Sequence, residues 1–285
     1  MTENGPETST ASNPARSEPR FTREITSFIA APILIWIIGW TPGIVFALLV
    51  AVIAVGGLWE FLNMGAQKGF PMQRLISSLL LVALLVATIW QVSLIEPVIV
   101  AILLIIPAAY VFSRSPLEDA LPASAVCLLG ILYVGLLSGT LMRLRLDFAP
   151  HGADLVFFLL FVVWAGDSAA YYTGKNLGRT KLLPRVSPKK TVEGLAGGVA
   201  GSIVVAAIIH STFFPEFPLL HALVCAALLS LVGVVGDLAE SVWKRSAGIK
   251  DSGKLIPGHG GILDRVDSIL FTAPVIYAYW FVLIR

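Results

Sequence analysis

Nine stretches of the chain are apolar almost without interruption, near residues 25–40, 44–62, 75–93, 97–113, 120–141, 154–173, 194–214, 218–239 and 267–284. A helix needs about 20 mostly apolar residues to cross roughly 30 Å of hydrocarbon. Inside that layer the backbone must satisfy its own hydrogen bonds, which leaves helices or closed barrels. The stretches do not alternate apolar with polar as barrel strands do. The fold class expected is therefore all-α, a polytopic transmembrane bundle of about nine spans. Composition points the same way: 13% of residues are charged and mean hydropathy is +0.84, against about 25% charged in soluble domains.

Residues 1–20 are rich in Ser, Thr, Asn, Pro, Glu and Arg and have little to bury, so a disordered tail is expected. Nine spans would put the N-terminus and the loops after spans two, four, six and eight on one side. That side would hold all of the 20 Lys and Arg residues except Arg143, Arg145 and Arg285. Loops rich in Lys and Arg stay cytoplasmic. The expectation is a multi-pass protein of the inner, cytoplasmic membrane with its N-terminus inside. Its two long basic loops, 174–193 and 240–266, would face the cytoplasm and place any chemistry there. The division expected is a tail over 1–20, N-terminal spans over 21–150 and a catalytic region over 151–285. Cys127 and Cys225 fall inside spans and are read as packing residues. The basic residues sit in particular loops, and nucleic acid is not an expected partner.

The stretch from Gly236 to Asp267 is the densest in polar chemistry. Asp237, Glu240, Asp251, Asp264 and Asp267 stand there among Lys244, Arg245, Lys250, Lys254, His259 and Arg265. Carboxylates offer hard oxygen ligands to Mg²⁺, and Mg²⁺ with Lys and Arg neutralises phosphate oxygens. Gly258, Gly260 and Gly261 flank His259, and glycines let backbone N–H groups approach an anion. Asp167 and Asp237 lie at membrane depth, where a carboxylate marks a functional site by default; for Asp167 the plainer alternative is a hydrogen bond between helices. In the loop after the sixth span, Ser187, Lys189, Lys190 and Thr191 belong to a Ser-Pro-Lys-Lys-Thr turn stiffened by Pro188. With the helix start that follows, they could bind phosphate oxygens as the second wall of one pocket. Gly194, Gly197, Gly198 and Gly201 form a small-residue stripe for close helix packing. Glu60 could be a site residue, but is read first as an interfacial anchor or a partner of Lys68. His151, His210 and His221 map to the far side. No GxxxxGK[ST], GxGxxG or HExxH occurs, which argues against P-loop, Rossmann and zincin chemistry.

These residues resemble the phosphatidate cytidylyltransferases, or CDP-diacylglycerol synthases. The resemblance rests on Ser241, Lys244-Arg245, Lys250-Asp251, Gly253, Ile256-Pro257, His259-Gly260-Gly261, Ile262, Asp264-Arg265 and Asp267. Trp243 departs from it, since the family usually has Phe or an aliphatic residue there. Upstream, Asp167, the Ser187–Thr191 segment and the Gly-Asp-Leu run at Asp237 also look like the family's, so residues 160–285 are covered strongly. The N-terminal spans match only in being apolar.

The resemblance implies cytidylyl transfer from CTP to phosphatidic acid, a Mg²⁺ requirement, K⁺ involvement and a homodimer. It implies that Asp237 and Asp264 are the leading metal ligands. With them, Lys244, Arg245, Lys250, Asp251, His259, Arg265 and Asp267 form the expected catalytic set. Ser187, Lys189, Lys190, Thr191, Asp167, Ser241, Gly260 and Gly261 form the expected substrate-binding set. The phosphate of phosphatidic acid is already a nucleophile, so the barrier is mainly repulsion between polyanions. One substrate cannot leave the bilayer and the other cannot enter it, which calls for a site at the membrane surface. A transporter of an anionic solute is the rival from another class. Its charges would gather at the midplane rather than at one face. A nearer rival is the same chemistry on another lipid acceptor.

Overall fold

The structure, a computed structural model, describes residues 31–253 and 260–284. The expected tail over 1–20, Lys254, His259 and Arg285 lie outside the described residues. The apolar stretches become nine helices among those described. They are α1 (Ala31–Trp40), α2 (Gly43–Gln67), α3 (Arg74–Trp90), α4 (Ile95–Val111), α5 (Leu117–Leu146), α6 (Gly152–Leu177), α7 (Val192–Thr212), α8 (Leu219–Ser246) and α9 (Leu263–Leu283). Seven segments are long and apolar enough to cross a membrane: α2, α4 with the short turn before it, and α5 to α9. The described part of α1 and the 17-residue α3 are shorter. The chain is an all-α, multi-pass membrane protein.

Helix α5 is the hub. It packs against α2, α3 and α4 on one side and against α6 and α9 on the other. The α2, α3 and α5 contacts are filled by Leu58, Leu62, Leu81, Leu84, Ile131 and Val134, all fully buried. Large apolar residues such as Trp90, Val111 and Leu117 point outward, as a lipid-facing surface requires. Helices α6 and α7 pair through small residues. A Cβ built at Gly201 would stand 2.5 Å from that of Ala169, and one at Gly194 would stand 2.9 Å from the Ala170 carbonyl oxygen. The expected glycine stripe therefore packs on α6.

Several helices run beyond their apolar cores. Helix α8 continues past residue 239 to Ser246, and α9 begins at Leu263 rather than 267. Glu240, Ser241, Lys244, Arg245 and Asp264 are consequently helical, not loop residues. A hydropathy window ends where charge begins, whereas a helix ends where its backbone is capped. Helix α8 stops at Gly248, whose φ of +74° lets Ile249 N–H return to the Lys244 carbonyl at 2.9 Å and Gly248 N–H to that of Arg245 at 3.1 Å. This is the left-handed glycine closure of a helix C-terminus. The connection between α5 and α6 shrinks to residues 147–151 for the same reason.

One expectation is corrected outright. The Ser-Pro-Lys-Lys-Thr segment is a strand, not a turn. It forms β2 (Ser187–Thr191), antiparallel to β1 (Lys181–Leu183), with Lys181 opposite Thr191 and Leu183 opposite Ser187. Proline is compatible with a strand when that strand is an edge, and both strands of a two-stranded sheet are edges. The hairpin sits at the end of the bundle where α6 and α8 finish and α7 and α9 begin.

Candidate active site

Helices α8 and α9 cross closely at Gly236, where a Cβ would lie 2.8 Å from the Phe271 Cβ and 3.0 Å from the Asp267 carbonyl oxygen. Residues three, four and seven apart share a helix face. Asp237, Glu240, Ser241 and Lys244 therefore form one stripe on α8, facing Asp264 and Asp267 on α9. Lys244 Nζ lies 2.5 Å from Asp264 Oδ1 and 3.3 Å from Glu240 Oε1. The second oxygen of Asp264 accepts N–H bonds from Ser252 at 3.0 Å and Gly261 at 2.9 Å. Ser241 donates to Asp237 Oδ1 at 3.3 Å. Asp267 is buried, and its Oδ1 accepts from the Ser268 N–H at 2.6 Å.

The hairpin closes the second side. Lys190 Nζ stands 2.5 Å from Asp237 Oδ2, and Asp167 on α6 lies within Coulombic reach of both Lys190 and Asp237. Asp167 also borders a crevice between α6, α7 and α8, together with Gly166, Ala170, Gly198, Ser230 and Gly233. Its charged neighbours are thus a lysine and a carboxylate, beyond the bond between helices weighed as its alternative role. Lys189 is exposed. Thr191 is 5% exposed, and its hydroxyl accepts from Gly194 N–H at 3.1 Å. It serves as the N-cap of α7. Ser187 is half-buried within the pairing of the hairpin.

Other expected residues stay at the rim. Arg245, Lys250, Asp251 and Arg265 are exposed on the same end of the bundle, and Arg245 donates to the Ile249 carbonyl at 3.2 Å. Gly260 takes a φ of +82°, which a side chain would strain. Gly261 N–H does bind an anion, but that anion is the Asp264 carboxylate. His151, His210 and His221 lie at the opposite helix ends, where His210 bonds the Phe217 carbonyl and His221 the Tyr279 hydroxyl.

Three residues outside the expected set belong here. Glu240 is 0% exposed, and neither of its oxygens has a hydrogen-bond partner among the described residues. It keeps only the Lys244 ion pair. Its spacing from Asp237 and Lys244 was the available signal. Tyr133 of α5 is buried beside Trp243, ring centroids 4.9 Å apart, with its hydroxyl unpartnered among the described residues. Trp243 also meets Phe61 edge-on at 5.3 Å, so the departure at this position builds an aromatic floor under the polar cluster. Glu60 of α2 is 1% exposed and accepts from Ser252 Oγ, Ile262 N–H and Leu263 N–H at 3.0, 3.0 and 2.9 Å. Its role is not to anchor an interface or to pair with Lys68. Isolated in an apolar helix, it carried the signal that a carboxylate at membrane depth always carries.

Asp167, Asp237, Glu240, Asp264, Asp267 and Glu60 thus gather at one end of the bundle, where Lys190 pairs with Asp237 and Lys244 with Glu240 and Asp264. A buried carboxylate is costly unless it is paired and hydrogen-bonded, and beyond the Lys244 ion pair neither oxygen of Glu240 has a hydrogen-bond partner among the described residues. The donor set is all oxygen, as Mg²⁺ prefers. Among the described residues no three His, Cys, Asp or Glu side chains are grouped to hold an ion by themselves. Mg²⁺ at nucleotide sites commonly takes one or two carboxylates and completes its shell with phosphates and water. The residues fit such an ion.

With this geometry in hand, the sequence can be set beside known proteins. The profile of the cytidylyltransferase family matches residues 21–283. This chain belongs to the cytidylyltransferase family. A relative in Bacillus subtilis, named phosphatidate cytidylyltransferase, is 34% identical over 90% of this chain and 95% of its own. Proteins of the same name in Staphylococcus haemolyticus and Brucella suis are each 35% identical, over 89% and 90% of this chain and 96% and 92% of theirs. Family membership extends over α1 to α7 as well as α8 and α9, so the N-terminal helices share more with these cytidylyltransferases than apolar character.

Proposed function

We propose that this chain is a phosphatidate cytidylyltransferase. It transfers the cytidylyl group of CTP to phosphatidic acid, giving CDP-diacylglycerol and pyrophosphate in phospholipid biosynthesis. The observation that carries this reading is the paired carboxylate–lysine cluster, Lys190–Asp237 and Lys244–Asp264, at one end of a membrane bundle. The likeness to proteins of that name over nine-tenths of the chain supports it. A phosphatidic acid oxygen attacks the α-phosphorus of CTP, and the bond to the bridging oxygen of pyrophosphate breaks. No proton need be removed from the nucleophile. The task of the protein is to hold two polyanions together and offset their charge.

In this reading Lys244 and Lys190 keep the acidic stripe ordered, and Arg245, Lys250, Arg265 and Lys189 meet phosphate oxygens from the rim. Asp237 and Asp264 would hold Mg²⁺, which when bound screens the charge of the CTP phosphates; K⁺ would add to that screening. The site end of the bundle faces the cytoplasm of the inner membrane, with the N-terminus on that side and nine spans in all. The positive-inside bias of the loops supports this. The active unit is a homodimer, and residues 151–285 carry the chemistry upon the helices of 21–150, behind a polar tail over 1–20.

The purified protein with labelled CTP, phosphatidic acid and Mg²⁺ should form labelled CDP-diacylglycerol and release pyrophosphate one for one. Turnover only with another acceptor lipid would replace the substrate. No CTP consumption with any lipid phosphate would overturn the reading.

A further inference from the structure

Glu60 stands out as a buried carboxylate whose three hydrogen-bond partners are all neutral: one hydroxyl and two backbone N–H groups. The partners lie about two hundred residues away in the chain, at Ser252 and at Ile262 and Leu263, where α9 begins. A helix N-terminus presents unpaired N–H groups and a partial positive charge, so a carboxylate placed there is stabilised without a cation. The chain has cleared space for it. A Cβ at Gly253 would collide with the Glu60 carboxylate, and one at Gly261 would fall 2.5 Å from Glu60 Oε2 and clash with Ser252 Oγ. The same two segments orient Asp264, which accepts from Ser252 N–H and Gly261 N–H. Glu60 and Asp264 therefore hold the same two segments together. The leading N–H groups of α9 are already taken by protein carboxylates and are not an open phosphate site.

We propose that Glu60 is a positioning residue for the cytidylyl transfer: from α2 it latches Ser252 to the start of α9 and so sets where Asp264 meets Lys244. The proposal rests on the reading of this cluster as the site of transfer. In Glu60→Gln the amide NH₂ must face the N–H of Ile262 or that of Leu263, whichever way it turns, and the latch opens.

The test uses the full chain in detergent micelles with two readouts. The first is kcat and KM for CTP. The second is the rate of tryptic cleavage after Lys250, next to the latch, against that after Arg185, in the hairpin. Glu60→Gln should lower kcat about a hundredfold, the usual consequence of misplacing a catalytic group by about 1 Å. KM should change less, and cleavage should accelerate after Lys250 but not after Arg185. Glu60→Asp, which keeps the charge on a shorter arm, should fall between. Parent-like kcat in Glu60→Gln overturns the proposal, and so does equal acceleration at both sites, which would mark general loosening. Should Glu60→Gln not fold, Ser252→Ala removes one bond of the latch, and parent-like kcat with unchanged cleavage after Lys250 overturns it equally. If the parent protein does not turn over CTP with phosphatidic acid, the functional reading fails separately. The cleavage contrast then decides the latch alone, standing if it is seen and falling if it is not.

Discussion

Lys244 stands between Asp264 and Glu240, while Lys190 is engaged by Asp237. Each pairing leaves a carboxylate with fixed direction, and Asp264 is more constrained than Asp237 because its Oδ2 also accepts two backbone N–H bonds. Its side chain is 13% exposed against 36% for Asp237. Breaking a buried pair by removing one partner costs about 3–5 kcal/mol, and a solvated pair costs far less. Asp264→Asn should therefore lower the thermal unfolding temperature clearly more than Asp237→Asn does. Both should lower kcat/KM for CTP by about two orders of magnitude or more, since in the proposed reading each removes a negative charge that would draw in Mg²⁺. The check is kinetics over a range of Mg²⁺ concentrations beside an unfolding curve in the same detergent. Near-parent turnover at ordinary Mg²⁺ would remove that residue from the site.

At the scale of elements, the two walls are held in register by helix pairs with almost no side chain between them. Helix α6 carries Asp167, and β2 with Lys190 leads directly into α7. The α6–α7 separation therefore sets how Lys190 stands to Asp167. Gly201→Ala would press a methyl against Ala169 and should destabilise the protein by about 1–3 kcal/mol, the range for overpacking. Activity should fall with it, although residue 201 lies midway along α7, away from the Lys190 end. Ala169→Gly in the same chain should restore much of both. Unfolding temperature and turnover of the single and double variants measure this; additive losses would show that the two positions do not touch.

For the whole molecule, the orientation in the membrane decides which substrate can reach the cluster. The structure also selects the reporters. Arg185 in the hairpin and Glu216 at the opposite end are both exposed, and the native Cys127 and Cys225 are buried. A membrane-impermeant thiol reagent added to intact cells should label Glu216→Cys and spare Arg185→Cys until the membrane is opened. Labelling of Arg185→Cys in intact cells would invert the topology.

The sequence by itself determined that this is a helical membrane protein, where the apolar cores of its helices lie, and which segment is densest in charged side chains. Those properties are local. Unbroken apolar runs without alternation have one solution in lipid, the helix, and a carboxylate at membrane depth is too costly to keep without use. The helical spacing of Asp237, Glu240 and Lys244 could likewise be read along one segment. Only the tertiary structure decided the rest. The Lys190–Asp237 pair joins a hairpin to a helix, and β2 is a strand because β1 lies beside it, a pairing its own residues do not announce. Thr191 is a cap because α7 starts there. Glu60 meets α9 because α2 packs beside it, and nothing in its neighbours along the chain, Trp59 and Phe61, points to residues 252, 262 and 263. Hydrogen bonds and ion pairs between distant segments depend on how helices cross, and that is a property of the packed bundle.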